Sequence, residues 1–355
     1  MLKPLFKYPG GKSSEYKHIS HLFPQHQTYV EPFLGGGAVF WADDADRYIV
    51  NDYSEEVTNI YRYTKDQNSK FLRTFLEIAN LWQQKEMYVE EVVRILAGKA
   101  RSGFTDNAFE ELNVMEDAFD QSLYWAKYKP LFDAQIQQAM TRKLSSLRRI
   151  SEKTVVTNLD ENALGILGAA IYMMIREIYN QTAMIDNPIL KTVSFYFLRE
   201  FAYSSMFRFN SEGGFNVPFG GNSYAKKSLL SRYAQLTDNA VVDKLAQTTI
   251  FTGDFAEQLV DEAGAFIFLD PPYDSEFSTY NQNSFDRMEQ VRLRDALTHI
   301  QYSKWLMVIK HTDFIEELYT RDGWYISRFD KNYSVNFKNR NDQAVEHLVI
   351  TNYEV

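Results

Sequence analysis

Cysteine is missing from this 355-residue chain. Its absence excludes a disulfide scaffold, a cysteine nucleophile and a cysteine-ligated metal, and leaves the redox compartment open. Long apolar runs are missing too. The longest, Ala163 to Ile175, stops at Arg176-Glu177 and is too short to cross a bilayer. The opening Met1-Leu2-Lys3-Pro4-Leu5-Phe6-Lys7 has no apolar core of the signal-peptide kind, so a cytoplasmic protein without membrane contact is expected. Positive charge is also scarce: 38 Lys and Arg against 47 Asp and Glu leave a net charge of −9. This is no polycation, and any nucleic acid must meet a local basic face. Candidates are Arg142, Lys143, Arg148 and Arg149; Arg208, Lys226, Lys227 and Arg232; and Arg328, Lys331, Lys338 and Arg340. Taken singly, each is more simply a solvated side chain.

What the chain has is a full core's worth of apolar residues and an aromatic share of 15%. Aromatics fill cores, and they also stack on unpaired bases, so the excess decides nothing alone. Short β-rich runs sit near both ends. Gln27 to Val30 leads into a glycine cluster, Ala38 to Ala42 reads as helix, and Arg47 to Val50 as a second strand ending at Asn51-Asp52. After Lys244 come Thr248 to Phe251, Ala265 to Leu269, Trp305 to Ile309 and His347 to Ile350, with a helix predicted over Arg287 to Ile300. Near-continuous apolar strands alternating with helices predict a parallel sheet covered on both faces. Between the two ends the spacing is helical from Glu55 to Ser151, over Leu164 to Tyr179 and over Val193 to Met206. Gly213-Gly214 then punctuates two short extended pieces, a hairpin signal. One α/β sheet is therefore expected from both ends of the chain, with a helical region inserted.

Three segments carry chemistry. Glu31-Pro32-Phe33-Leu34-Gly35-Gly36-Gly37 is a glycine-rich turn after a strand, and Asp52 lies 21 positions beyond Glu31 at the end of the next strand. That order suits a nucleoside-containing cofactor, with the acid on ribose hydroxyls, although a glycine cluster alone is only a tight turn. Phe6-Lys7-Tyr8-Pro9-Gly10-Gly11-Lys12-Ser13 ends like a P-loop, but Phe6 stands where that motif needs glycine and no strand precedes it. A nucleoside triphosphatase is rejected; Lys12 could serve a carboxylate, or simply end an exposed turn. Asp270-Pro271-Pro272-Tyr273 directly follows an apolar strand, at the end of the sheet where open α/β folds bind ligands. Its prolines remove two donors. The Asp270 carboxylate and the Pro271 carbonyl remain as acceptors, with Tyr273 as a stacking face. Such a site suits a planar amine whose lone pair must be turned toward an electrophilic methyl group, with orientation supplying much of the rate. The plainer alternative is a proline-rigid turn with a capping Asp.

These segments, in this order, together with Phe209-Asn210-Ser211-Glu212-Gly213-Gly214-Phe215-Asn216-Val217-Pro218-Phe219-Gly220, resemble the Dam-like, D12-class (alpha group) adenine-N6 DNA methyltransferases. The resemblance covers the two ends and about residues 199–221, and is thin over 64–151. It implies a Rossmann-like catalytic domain over 1–62 and 245–355 that binds S-adenosylmethionine. An inserted, mainly helical target-recognition domain would span 63–244, with its hairpin near 207–222. The implied reaction is site-specific methylation of a flipped adenine in double-stranded DNA. Tyr8, Lys12, Glu31, Phe33, Gly35, Gly37, Asp52, Asp254 and Asp270 would bind the cofactor. Met206, Arg208, Asn210, Asn216, Val217, Pro218, Asn336 and Lys338 would meet DNA, with Arg208 reading guanine in the major groove and Met206 wedging into the stack. The setting would be prokaryotic or phage-encoded, as a monomer or weak dimer, with room for a cognate restriction endonuclease. Gly221-Asn222-Ser223 lacks the basic-aromatic pair associated with Dam, so the recognition sequence stays open.

No metal is expected. His18, His21 and His26 have no carboxylate at ligand spacing and read as surface or capping residues; His299, His311 and His347 read as structural. Other readings remain at this point: transfer to another planar amine such as cytosine N4 or an RNA base, or a silent DNA-binding relative. An NAD-dependent oxidoreductase would need a hydride-transfer site that is not found.

Overall fold

The computed structural model describes residues 2–12, 15–100, 113–182, 186–272, 285–331 and 345–355. Contacts divide the chain into two compact units. The first comprises Met1–Pro4, Gly10–Arg62 and Asp243–Val355; the second comprises Leu5–Pro9 and Tyr63–Val242.

The first unit is α/β and Rossmann-like. Its strands are β1 (Thr28–Glu31), β2 (Arg47–Asp52), β3 (Thr248–Thr252), β4 (Ala265–Leu269), β5 (Lys304–Lys310), β6 (Tyr325–Lys331) and β7 (Val345–Thr351). They form one sheet in the order β3-β2-β1-β4-β5-β7-β6. β1 to β5 are parallel, and β7 runs antiparallel between β5 and β6. The chain builds outward from β1 through β2 to β3, then resumes on the other side of β1 with β4. That reversal opens a crevice beyond the carboxyl ends of β1 and β4. All five residues of β4 are buried, as a strand flanked on both sides and covered on both faces requires. One face packs Ile267, Leu269, Trp305 and Met307 with Leu293 and Leu297 of the helix Arg287–Leu297. Burying one such side chain is worth about 1.5–3 kcal/mol. Asp286 caps that helix, its carboxylate accepting from the N–H groups of Met288 and Glu289 at 2.9 and 3.1 Å.

Two expectations differ from the structure here. Residues 38–42 form consecutive turns instead of a helix, closed by Trp41 N–H to Gly37 O and Ala42 N–H to Val39 O. Gly37 holds φ +62°, and a Cβ there would lie 2.8 Å from the Tyr61 hydroxyl, so the backbone is committed to a tight turn before a helix can start. β6 escaped the apolar-run reading because it is an edge strand, with Tyr325 and Arg328 exposed and no continuous apolar stretch.

The second unit is helical. Asn68 and Asn187 cap Ser69–Gln84 and Pro188–Phe201 through their side chains, the latter with proline in its first turn. Leu159–Thr182 is apolar almost all round because it packs against Val89–Ala100, Lys129–Ser151 and Pro188–Phe201. A Cβ on its Gly165 would meet Asn222 Oδ1 at 2.0 Å, so glycine lets the short helix Asn222–Ala225 lie against it. The expected hairpin is one isolated bridge, Phe209 to Phe215, with a second between Ala202 and Phe219. Among the described residues no helix is long and apolar enough to cross a membrane.

Candidate active site and nucleic-acid interface

The first unit gathers its polar groups at the strand ends. Asp270 leaves the carboxyl end of β4, and Lys12 Nζ donates to its Oδ1 at 2.6 Å, the lysine almost fully buried. Lys12 also donates to Gly10 O at 3.3 Å. Pro271 is buried, and the Pro272 carbonyl accepts from Gln290 Nε2 at 3.1 Å, the amide being fully buried on the helix Arg287–Leu297. The turn is thus tied down on both sides, by a lysine near the amino terminus and by a helix 18 residues downstream.

Glu31 ends β1 and is buried, accepting from the Tyr29 hydroxyl at 2.8 Å and from Phe40 N–H at 3.2 Å. Burial pushes its carboxyl well above the usual range, and the charge of Asp270 adds to the shift against those two hydrogen bonds. Asp52 ends β2. Its two oxygens accept from Gly35 N–H and Ser54 N–H, both at 2.8 Å, so the glycine turn is folded onto the acid. Tyr61 donates to Gly35 O at 3.2 Å on the other side of the same turn. Asn51, one residue earlier, donates to Pro32 O and to Gly253 O at 3.0 and 3.1 Å, joining the ends of β1, β2 and β3.

Asp254 follows β3. Its carboxylate accepts from Ala256 N–H and takes a two-pronged contact from Arg292 at 2.8 and 2.6 Å. The guanidinium holds Asp254 below the usual carboxylate range and stacks 4.4 Å from the Phe255 ring. Phe33, Phe255 and Phe285 form a partly buried aromatic cluster with centroids 5.2 to 5.7 Å apart. Lys12, Glu31, Phe33, Gly35, Gly37, Asp52, Asp254 and Asp270 therefore belong to one rim of one sheet.

In the second unit the hairpin is folded by its own side chains. Asn210 Oδ1 accepts from the N–H groups of Glu212 and Gly214, and Arg208 Nε donates to Asn216 Oδ1 at 3.1 Å. The long helix supports it from below. Tyr172 donates to Val217 O at 2.8 Å, and the Asn180 amide closes on both backbone groups of Phe215. The Val217 side chain is buried, so that residue offers packing and backbone, whereas Pro218 is exposed. Met206 and Tyr203 are each 37% exposed, and between them Ser204 and Ser205 hold φ of 52° and 51°. Two consecutive left-handed serines cost energy, which the surrounding packing must offset, and they turn the chain sharply at these two side chains. Tyr8 lies in this unit, its ring 4.5 Å from the buried guanidinium of Arg199, which also stands 4.9 Å from Phe207 at the foot of the hairpin.

Tyr273, Asn336 and Lys338 lie outside the described residues. Among the described residues no group of three or more His, Asp or Glu could hold a metal. His26 instead bonds Asp43, 17 positions away, and the Pro24 carbonyl. Sequence reasoning missed Gln290, Arg292, Asn51 and Arg199. Each is an ordinary residue within a helix or strand, and only the fold reveals what it supports.

A family model described as D12 class N6 adenine-specific DNA methyltransferase matches residues 8–335. The chain is 26% identical to "Type II methyltransferase M.CviBI" of Paramecium bursaria Chlorella virus NC1A, over 99% of this chain and all of that protein. It is 24% identical to "Type II methyltransferase M1.LlaDCHI" of Lactococcus lactis subsp. cremoris, over 99% and 96%. It is also similar to a "DNA adenine methylase" of Vibrio cholerae, 21% identical over 82% of this chain and 75% of that one.

Proposed function

We propose that this chain, which belongs to the D12 class N6 adenine-specific DNA methyltransferases, carries a methyl group from S-adenosylmethionine to N6 of an adenine flipped out of duplex DNA. The observation that carries the reading is Asp270-Pro271-Pro272, held by Lys12 and Gln290 at the mouth of the β1/β4 crevice.

The donor set fits this methyl donor. Asp52 is a carboxylate at the end of β2 whose oxygens are oriented by the Gly35 and Ser54 N–H groups, an acceptor that suits ribose hydroxyls. Phe33 and Phe255 supply an apolar wall for an adenine ring, with Asp254 fixed beside it by Arg292. Glu31, a buried acid with a raised pKa, gains from an ammonium group, and Lys12 suits a carboxylate. Gly35 lets the cofactor approach the backbone of the turn folded onto Asp52, and Gly37 holds that turn tight against Tyr61. When bound, this donor supplies an electrophilic methyl carbon on a sulfonium.

Asp270 and the Pro271 carbonyl accept the two hydrogens of N6, which turns the amine lone pair out of the ring plane. Tyr273 stacks on the base. Asp270 takes the proton that N6 sheds, and the ammonium of Lys12 fixes its carboxylate in the orientation needed. Orientation and desolvation supply the rate; no strongly basic group is required. Residues 1–62 and 245–355 form the catalytic domain, and 63–244 the target-recognition domain. In the latter, Arg208 reads guanine, while Asn210, Asn216, Val217 and Pro218 shape the hairpin in the groove; Asn336 and Lys338 also contact DNA. The strained Ser204-Ser205 turn presents Met206 as the wedge. The type II names of two relatives support a restriction-modification role inside the cell, with an endonuclease of the same site as partner.

Purified protein, labelled S-adenosylmethionine and duplex DNA test the reading. Label should appear in N6-methyladenine after digestion to nucleosides. Asp270→Asn, which keeps the shape beside Lys12, should slow transfer about a hundredfold or more; it also lowers the melting temperature, because the buried ammonium loses that carboxylate, and circular dichroism should show the variant still folded at the assay temperature. Label in cytosine, or an undiminished rate in the variant, overturns it.

A further inference from the structure

Just after the hairpin, the second unit assembles cations that the cofactor crevice does not use. Lys227 Nζ sits 3.1 Å from the centre of the Tyr224 ring, and Lys7 Nζ is 5.8 Å from the same ring. Both ammonium groups are therefore gathered at one ring. Arg232 completes the group, 3.1 Å from Glu200, which also accepts from the Lys7 backbone N–H at 3.0 Å. Lys7, Lys227 and Arg232 thus gather about Glu200, with Arg232 also donating to Gln235 Oε1 at 3.0 Å. Lys227 is anchored from behind, because Trp82 Nε1 donates to its carbonyl at 2.8 Å. Its neighbour Lys226 points elsewhere, paired with Glu161 at 2.7 Å.

Like charges brought together and half-buried are unfavourable unless an anion joins them. Burial and the nearby Lys7 together pull Lys227 down to about 8, with Arg232 acting in the same direction and Glu200 against it. An anion held there would return its proton. The anion's chemistry is that of a singly charged, tetrahedral group: the two lysines act as point charges suited to phosphate, and the one guanidinium fork, that of Arg232, is turned onto Glu200 rather than toward a base edge.

We propose that Lys7, Lys227 and Arg232, arranged about Tyr224, form a clamp for one backbone phosphodiester of the DNA substrate. The assignment rests on the reading of the chain as a DNA methyltransferase. The segment 224–232 follows the hairpin directly, and Lys7 adjoins Tyr8, so the clamp fixes the register of the duplex while the hairpin reads its sequence. It also answers how a chain with a net charge of −9 holds a polyanion: the positive charge is concentrated where the backbone passes.

The test is DNA binding by the full chain across a salt series, with duplexes that carry or lack the methylated site. Lys227→Gln should weaken both duplexes about tenfold, leave their ratio unchanged, and reduce the slope of log K against log salt by about one. The wild type should lose affinity between pH 7 and 9 as Lys227 gives up its proton, and Lys227→Arg should keep the affinity and lack that decline, because the arginine stays charged. An unchanged slope in Lys227→Gln overturns the clamp, as does a loss confined to the cognate duplex or a wild-type pH profile shared by Lys227→Arg. If the glutamine variant unfolds, a failure of the arginine variant to bind still overturns it. Absence of any duplex binding by the wild type instead removes the methyltransferase reading on which the clamp rests.

Discussion

The strand-end rim of the first unit and the hairpin region of the second handle charge in opposite ways. At the rim nearly every charged group already has a partner from the chain: Lys12 with Asp270, Arg292 with Asp254, and Asp52 with two backbone N–H groups. Near the hairpin, Lys7, Lys227 and Arg232 outnumber Glu200. A site that must hold a small molecule in one orientation gains from being ordered beforehand, with its polar groups fixed. A surface that must receive a polyanion gains from a surplus that only the polyanion satisfies.

Three changes sharpen that contrast, in falling order of effect. Asp52→Asn removes the charge on which the glycine turn is folded. It should raise the KM for the methyl donor roughly tenfold or more, as expected for a lost charged hydrogen bond, and leave DNA affinity alone; steady-state kinetics against each substrate separates the two. Arg208→Ala should cost about 1–3 kcal/mol at one position of the recognition site and leave binding to unrelated duplexes nearly intact, as read from competition with single-base variants of the site. A uniform loss across sequences would place Arg208 with the clamp instead. The smallest effect concerns another closed pair in the first unit. Burial lowers the pKa of His26, but its bonds to Asp43 and to the Pro24 carbonyl outweigh that and leave it raised. Its stabilising contribution is then full below the ordinary histidine range near about 6.5 and fades as pH rises through the folded value. His26→Gln should lower the melting temperature at pH 5.5 and match the wild type above pH 8, a profile that thermal melts at the two pH values would show.

The same contrast explains what the sequence disclosed. The strands β1, β2, β4 and β5 were legible because a covered parallel sheet demands unbroken apolar runs, and the motif residues stand at their ends for the same reason. Residues 38–42 misled because Val39, Phe40 and Trp41 are core residues in a turn set by Gly37, and apolar spacing alone does not distinguish that from a helix. Gln290 and Arg292 were invisible: their task is defined by Pro272 and Asp254, which only folding brings to them. Lys227 looked like one surface cation among many until Lys7, 220 positions earlier, was placed beside it.

Transfer to adenine N6 within a defined DNA site is read out by base-modification sequencing of DNA from cells expressing the chain. N6-methyladenine is expected at one short motif, on DNA unmodified there without the protein, and it should disappear with Asp270→Asn. Methylation on cytosine, or modification that persists in that variant, would contradict it.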